Sequence, residues 1–184
     1  MTSPADVYRR DTRRWLERAV IGLNLCPFAK AVHVKGLVHY AVSQADSPAQ
    51  VLADLQQELD AIAAIDPEVR DTTLLIVPHC LQDFFDFNDF MGRAERALRK
   101  RGLEGVIQLA SFHPRFQFEG TEENDITNFT NRSPYPMIHL LREESIDRAV
   151  EAFPQAEAIY EANMKTLRGI GEAGWRELDV GPSA

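Results

Sequence analysis

Hydrophobic residues recur along the chain in two spacings that alternate with each other. Apolar positions three and four residues apart predict helices over residues 4–24, from Ser47 onward, and over 83–100. Short continuous apolar runs rich in β-branched residues lie between these helices and predict strands. The three predicted strands cover residues 37–42, 72–77 and 105–112.

This alternation sets the expected fold class. Connections of at least ~12 residues that contain a helix favour parallel pairing of the strands through right-handed crossovers. We therefore predict an α/β fold, a small two-layer or three-layer domain with a mostly parallel sheet of three to four strands, flanked by helices and with a helical C-terminus. An α+β domain with an antiparallel sheet is the alternative.

A long segment of unusual composition follows the third predicted strand. Residues 111–136 read S-F-H-P-R-F-Q-F-E-G-T-E-E-N-D-I-T-N-F-T-N-R-S-P-Y-P and carry four phenylalanines and a tyrosine among polar groups. This aromatic content argues against disorder. Long irregular connections in compact domains are commonly functional, so we expect the site in this segment and at the strand ends beside it.

Three more helices are predicted beyond this segment. Ser133 and Pro134 resemble a helix cap followed by a first-turn proline, with Met137, Ile138 and Leu141 on the buried face. A second helix would bury Ile146, Ala149, Val150 and Phe153, and the last would cover residues 154–170.

The composition fits one globular domain. With 184 residues, 45% of them hydrophobic, the chain can bury a sizeable core. We therefore predict a single domain over residues 1–184, with a core over about 4–170 and a loosely packed tail over 171–184. The net charge of −8 argues against a nucleic-acid partner, since phosphate backbones are bound by clustered Lys and Arg.

The sequence predicts a cytoplasmic protein without a membrane partner. Its first residues are polar, and no apolar run reaches the ~18 residues that a membrane span requires. The cytoplasm keeps thiols reduced, so both Cys26 and Cys80 are expected to be free. The oligomeric state is left open.

Polar residues at the ends of the predicted strands suggest a site for a small anionic ligand. If the sheet is parallel, His79 and His113 follow neighbouring strands at the edge where open sheets bind ligands. His113 is a candidate general acid or base, because an imidazole titrates near working pH. A structural hydrogen-bonding role for His113 is equally open.

The ligand-binding candidates lie in the same segment. Arg132, before the predicted helix start at Ser133, would clamp a phosphate or carboxylate together with the helix N-terminus, and Arg115 would assist. Asn128 and His79 would orient the ligand. Alternatively, Arg132 pairs with an acidic residue of its own loop.

Two further candidates lie outside that segment. Cys26, in L-C-P-F-A-K, would be a reactive thiol if it starts a helical turn, or a small apolar core residue if it is buried. His139 is predicted to lie on a helix as a boundary histidine or a ligand contact. No paired-ligand spacing such as C-x-x-C or H-x-x-x-H occurs, so no metal and no cofactor are predicted.

Several uncommon strings occur together in one order. They are G-L-N-L-C-P-F-A at 22–29, V-P-H at 77–79, D-F-N-D-F at 86–90, F-H-P-R-F at 112–116 and N-R-S-P-Y-P at 131–136. In these the chain resembles an uncharacterised bacterial family, a domain of unknown function from proteobacteria. The resemblance implies a single-domain cytoplasmic protein and brings no activity or functional residue with it.

Three functional hypotheses follow. The leading hypothesis is a domain that binds or transforms a small anionic metabolite at the loop over 111–136. The second is a non-catalytic interaction protein whose loop is a rigid structural plug and whose aromatic residues pack against a partner. The third is a thiol-dependent enzyme that uses Cys26.

Overall fold

The computed structural model describes residues 3–152 and 155–183. The described part of the chain forms a four-stranded sheet with helices on both faces. The helices are α1 (Pro4–Trp15), which continues as a π-helical segment (Leu16–Ile21), α2 (Ala29–Val34), α3 (Pro48–Ala64), α4 (Phe84–Lys100), α5 (Glu143–Ala152) and α6 (Ala156–Glu177). The strands are β1 (Val38–Val42), β2 (Thr72–Ile76), β3 (Ile107–Phe112) and β4 (Met137–Arg142), and a 3-10 helix (Ile126–Asn131) lies between β3 and β4.

α3 and α4 begin at the residues that the sequence predicts. In α3, Pro48 occupies the first turn after Ser47, and the buried side chains follow a four-residue spacing through Val51, Leu55 and Leu59. In α4 the carboxylate of Asp83 accepts hydrogen bonds from two first-turn backbone N–H groups. The predictions for these two helices are confirmed.

The sheet has the order β1-β2-β4-β3. β1 and β2 pair in parallel, and β4 lies antiparallel to both of its neighbours. The three predicted strands are therefore present and run in one direction, while the sheet as a whole is mixed. The predicted α/β class is confirmed in this mixed form, with helices on both faces.

The prediction of a helix after Ser133 and Pro134 is wrong, because residues 137–142 form β4. The Ser133 hydroxyl does not cap a helix but donates to the carbonyl of Tyr135, over 2.6 Å. Apolar residues at 137, 138 and 141 suit a helix face, but they equally suit a central strand buried on both faces. The choice between helix and strand depends on pairing with β2 and β3, which cannot be predicted from the local sequence.

Each face of the sheet supports its own core. On one face α3 and α4 cover an apolar cluster that includes Leu75, Ile138 and Leu140. On the other face α1 and the π-helical segment pack against a second cluster, in which Leu74 and Met137 come from the sheet. The arrangement is three-layered.

The last helix and the residues after it are packed against the rest of the protein. α6 begins at Ala156, and the start predicted at Pro154 lies outside the described residues, as does the predicted core residue Phe153. The helix bends at Gly171, whose φ of 60° is in the left-handed region. Among the described residues, no helix has the length and apolarity to cross a membrane.

The end of the chain is held by α1 rather than loosely packed, which corrects the expectation for the described part of residues 171–184. Val180 is buried, and the backbone N–H and hydroxyl of Ser183 donate to the two carboxylate oxygens of Asp11 over 2.8 and 2.5 Å. Asp11 is fully buried and also accepts from the Tyr135 hydroxyl over 2.7 Å. One carboxylate thus joins α1, the segment before β4 and the end of the chain.

We expect Asp11→Ala to lower the free energy of unfolding by about 2–4 kcal/mol, since it leaves buried donors without an acceptor. Urea unfolding would measure the change. Asp6→Ala is the matched control, because Asp6 lies on the same helix in an exposed pair with Arg9, and it should leave stability nearly unchanged. Equal effects of the two substitutions would contradict the anchoring role of Asp11.

Candidate functional site

The connection between β3 and β4 uses most of its polar side chains on itself. The fully buried Asn128 amide accepts from the Phe118 N–H over 2.9 Å and from the Thr121 hydroxyl over 2.8 Å, and it donates to the Glu122 carbonyl over 2.8 Å. Asn128 therefore organises the loop. This bonding agrees with the hypothesis of a rigid plug and leaves the amide no group for orienting a ligand.

His113 is fully buried, and both of its ring nitrogens have partners. Nδ1 accepts from the Arg115 N–H over 3.0 Å, so the neutral ring carries its proton on Nε2, which donates to the Leu81 carbonyl over 3.0 Å. Burial lowers the pKa of His113 and favours this neutral form. Leu81 has a left-handed φ of 60°, uncommon for a branched residue, and the bond from His113 supports that conformation.

The two arginines of the loop converge on Glu123. Arg115 Nη2 lies 2.7 Å from the Glu123 carboxylate, and Arg132 Nη2 donates to the Glu123 carbonyl over 2.5 Å. Arg132 also donates to the Phe116 carbonyl and stacks on Phe129, with its guanidinium carbon 4.5 Å from the ring centroid. The hydrogen bond and the charge of Arg115 lower the pKa of Glu123.

The remaining loop candidates are not gathered around these arginines. Ser133 is bonded to the Tyr135 carbonyl, and no helix begins there to add its dipole to an anion site. His79 is exposed, and its ring contacts the edge of the Tyr8 ring at 5.5 Å between centroids. β4 lies between β2 and β3, so His79 and His113 do not follow neighbouring strands.

A mainly apolar cavity of about 290 Å³ lies on the other side of the molecule from α3 and α4. It is an open pocket between one face of the sheet, α1 with its π-helical extension, α2 and α5. Its wall contains two of the predicted candidates, Cys26 and His139. Apolar lining residues include Trp15, Leu16, Val20, Leu74, Phe112 and Ile146.

His139 brings a polar group to the middle of this apolar wall. It lies on β4, opposite Leu74 of β2 and Ala110 of β3, and its ring is partly exposed. Nε2 lies 2.6 Å from the hydroxyl oxygen of Thr72, which is itself 2.8 Å from the Leu140 carbonyl. β4 thus places His139 in the wall of a cavity, whereas the predicted helix would have placed it at the boundary of the core.

The surroundings of His139 keep it neutral. Burial lowers the pKa of His139 to about 4, because the charged form would lose its hydration. The ring of Phe112 lies 6.0 Å away between centroids. The imidazole is therefore a neutral hydrogen-bonding group at pH 7.

Cys26 is half-buried on the wall of the same cavity, and both cysteines are unpaired, as predicted. The Cys26 carbonyl accepts from the Ala29 N–H, which closes a single turn. α2 itself begins only at Ala29 and is six residues long. Cys26 therefore does not occupy the start of an extended helix, and its reactivity stays a prediction.

The cavity is the feature that the sequence did not reveal. Its wall combines residues from all four strands and from several helices that lie far apart in the chain, and they are mostly ordinary core types. The signal that was present is His139 itself, a polar residue within the apolar run M-I-H-L-L. Within residues 3–152 and 155–183, no group of three or more His, Cys, Asp or Glu is arranged to hold a metal ion.

The structure is thus a mixed α/β domain in which a histidine of the sheet forms part of the wall of an apolar cavity. The chain belongs to the family described as Protein of unknown function (DUF1415), whose family model matches residues 7–177. The resemblance to an uncharacterised family is thereby confirmed. Comparison with curated proteins finds no match, and comparison with solved structures finds none either.

The neutral state of His139 predicts a pH dependence of stability. A histidine whose pKa falls from 6.5 to about 4 on folding contributes stability that is present above pH 6.5 and lost as the pH falls toward 4. For a partly exposed ring we expect a loss of about 1–3 kcal/mol. Urea unfolding between pH 7 and pH 4.5 measures it.

The comparison that isolates this effect is with His139→Leu, which should have a shallower slope. Burial also lowers the pKa values of His113 and His39, so some slope will remain in the variant. His79→Leu, which removes an exposed histidine ring, is the matched control, and its slope is the reference with which that of His139→Leu is compared. If His139→Leu keeps that slope as well, His139 does not lose a proton on folding.

Proposed function

We propose that this protein binds a small, mainly apolar molecule in the cavity between the sheet, α1, α2 and α5. The observation that carries the proposal is an apolar cavity of about 290 Å³ with a neutral imidazole in its wall. Small-molecule sites are characteristically apolar concavities with a few convergent polar groups. The volume lies near the lower end of their ~300–1,000 Å³ range, so the ligand is small.

Packing supports a binding role for this space. Protein interiors are close-packed, and apolar surface that stays in contact with water lacks the favourable free energy of burial. Here the wall is built from bulky side chains, with Trp15 and Phe112 only 5.1 Å apart between ring centroids. A ligand that fills the space supplies the missing contacts and stabilises the folded state.

Trp15 makes the proposal measurable. The chain contains two tryptophans, Trp15 in the cavity wall and Trp175 against Phe129. In a Trp175→Phe background the emission of Trp15 should change saturably on titration with p-xylene or p-cresol. No saturable change with either compound would contradict binding in the cavity.

A cavity-filling variant locates the site. Ala110 lies in the wall of the cavity, and Ala110→Leu enlarges its side chain by three carbon atoms. The larger side chain should occupy part of the cavity and weaken ligand binding about tenfold or more. The same substitution at the exposed Ala63 of α3 is the matched control. Circular dichroism confirms that both variants fold, and equal affinities in the two variants would place the binding elsewhere.

An anionic ligand at the loop is the second candidate, favoured by one observation. Arg115 contacts the Glu123 carboxylate and Arg132 the carbonyl of the same residue, so the carboxylate occupies, beside both guanidinium groups, a position for which a ligand anion would compete. In this version Arg115 and Arg132 bind the anion, and His113, Asn128 and Ser133 hold the loop in shape. His79 contributes no contact there.

Glu123→Gln tests this candidate, because it removes the competing charge and keeps the size of the side chain. Inorganic phosphate should then raise the thermal midpoint of the variant by several degrees more than it raises that of the wild type, through binding to the folded state. Glu122→Gln, at an exposed neighbouring position, is the control. A response that persists after Arg132→Ala would not come from this pair of arginines.

The setting of the protein is also part of the proposal. We take it to be a bacterial, cytoplasmic protein without a nucleic-acid partner, on the basis of the motif strings, the two free cysteines and the net charge of −8. Thiol chemistry at Cys26, beside the same cavity, would add a reaction to the binding function. The rate of iodoacetamide labelling of wild type and Cys26→Ser reports it.

A further inference from the structure

We infer that the cavity selects neutral molecules that carry one hydrogen-bond donor, such as a phenol, an alcohol or an N–H heterocycle, and that the His139 Nδ1 atom accepts the bond. This inference rests on the proposed function, since it names the class of ligand that the same cavity would take. It follows from the position of a single proton.

The hydroxyl of Thr72 has two polar neighbours and one proton. The Leu140 carbonyl, 2.8 Å away, can only accept, so the hydroxyl proton belongs to that bond. The contact of 2.6 Å with His139 Nε2 then requires the ring to donate and the Thr72 oxygen to accept. The reverse assignment would leave two oxygens at hydrogen-bond distance with no proton between them.

This assignment leaves Nδ1 as the ring's acceptor. Nδ1 has no hydrogen-bond partner among the described residues, and it is not one of the buried, unpartnered side-chain atoms, which are Thr12 Oγ1, Arg14 Nε and Tyr40 OH. It is therefore reachable from the cavity whose wall His139 forms. A neutral ring with a protonated Nε2 offers one lone pair and no donor at this point.

The other polar groups at the cavity do not favour an anion. The Ser145 hydroxyl donates to the Asp71 carboxylate over 2.5 Å, and the Arg142 guanidinium donates to the carbonyls of Ile65 and Arg70. Asp71 and Arg142 carry opposite charges at the same wall. A carboxylate would meet the lone pair of Nδ1, which repels it, and an apolar lining that does not hydrate it.

The test compares p-cresol with p-xylene, which has the same size and shape, and with the anion p-toluate, by Trp15 fluorescence in the Trp175→Phe background. p-Cresol should bind about three- to tenfold more tightly than p-xylene, because it gains one hydrogen bond to the protein and loses its hydrogen bonds to water. p-Toluate should bind most weakly of the three. In His139→Leu the order of the first two should reverse, because p-xylene is the more apolar molecule. Thr72→Val, which frees Nε2–H, should reduce the preference without a large change of shape.

A second measurement does not depend on the folding of any variant. In wild-type protein labelled with ¹⁵N-histidine, the Nδ1 resonance of His139 should be that of an unprotonated nitrogen and should shift with p-cresol and not with p-xylene. A protonated Nδ1, or equal affinity for p-cresol and p-xylene, overturns the inference. If p-cresol and p-xylene bind equally and Ala110→Leu weakens the binding of each, the proposed function stands and only the ligand class is wrong. If neither compound binds saturably, the proposed function and the inference about the ligand class are both wrong.

Discussion

The position of β4 between β2 and β3 is the constraint on which the rest of the structure depends. β4 supplies hydrogen bonds to both neighbours, so the sheet is continuous only when this antiparallel strand is inserted. Its alternating side chains supply both cores, since Met137 lies in the cluster under α1 and Ile138 in the cluster under α3 and α4. The same alternation turns His139 toward the cavity.

The insertion also explains the long connection before β4. The chain leaves β3 and must reverse direction to pair beside it, over 24 residues that contain only one short 3-10 helix. Irregular backbone in such a segment needs hydrogen-bond partners. Asn128, His113 and Arg132 supply them, largely to backbone groups of the same loop. The polar residues that suggest a binding site in the sequence are thus largely committed to the shape of the loop.

The sequence predicts those parts of the fold that depend on local pattern. Three strands, the first residues of α3 and α4 and the free cysteines can be predicted, because short-range spacing and turn chemistry determine them. The strand over 137–142 is not readable, since its apolar spacing fits a helix equally well and only pairing with distant strands decides. The site is harder to predict than the fold. Cys26 and His139 can be selected as candidates by residue type, but their common cavity depends on how α1, α5 and the sheet pack together. The bonds of His113 likewise depend on Leu81, thirty-two positions earlier.

Trp15 connects the two regions that the sequence and the structure single out. Its ring forms part of the cavity wall, while its indole N–H donates to the Arg132 carbonyl over 2.8 Å. A molecule that moves the ring within the cavity changes the geometry of this bond and therefore acts on the loop. If a ligand of the cavity shifts this bond and thereby changes the affinity of the loop for an anion, the anion changes the affinity of the cavity for its ligand by the same factor. One side chain thus gives the cavity and the loop a direct structural connection.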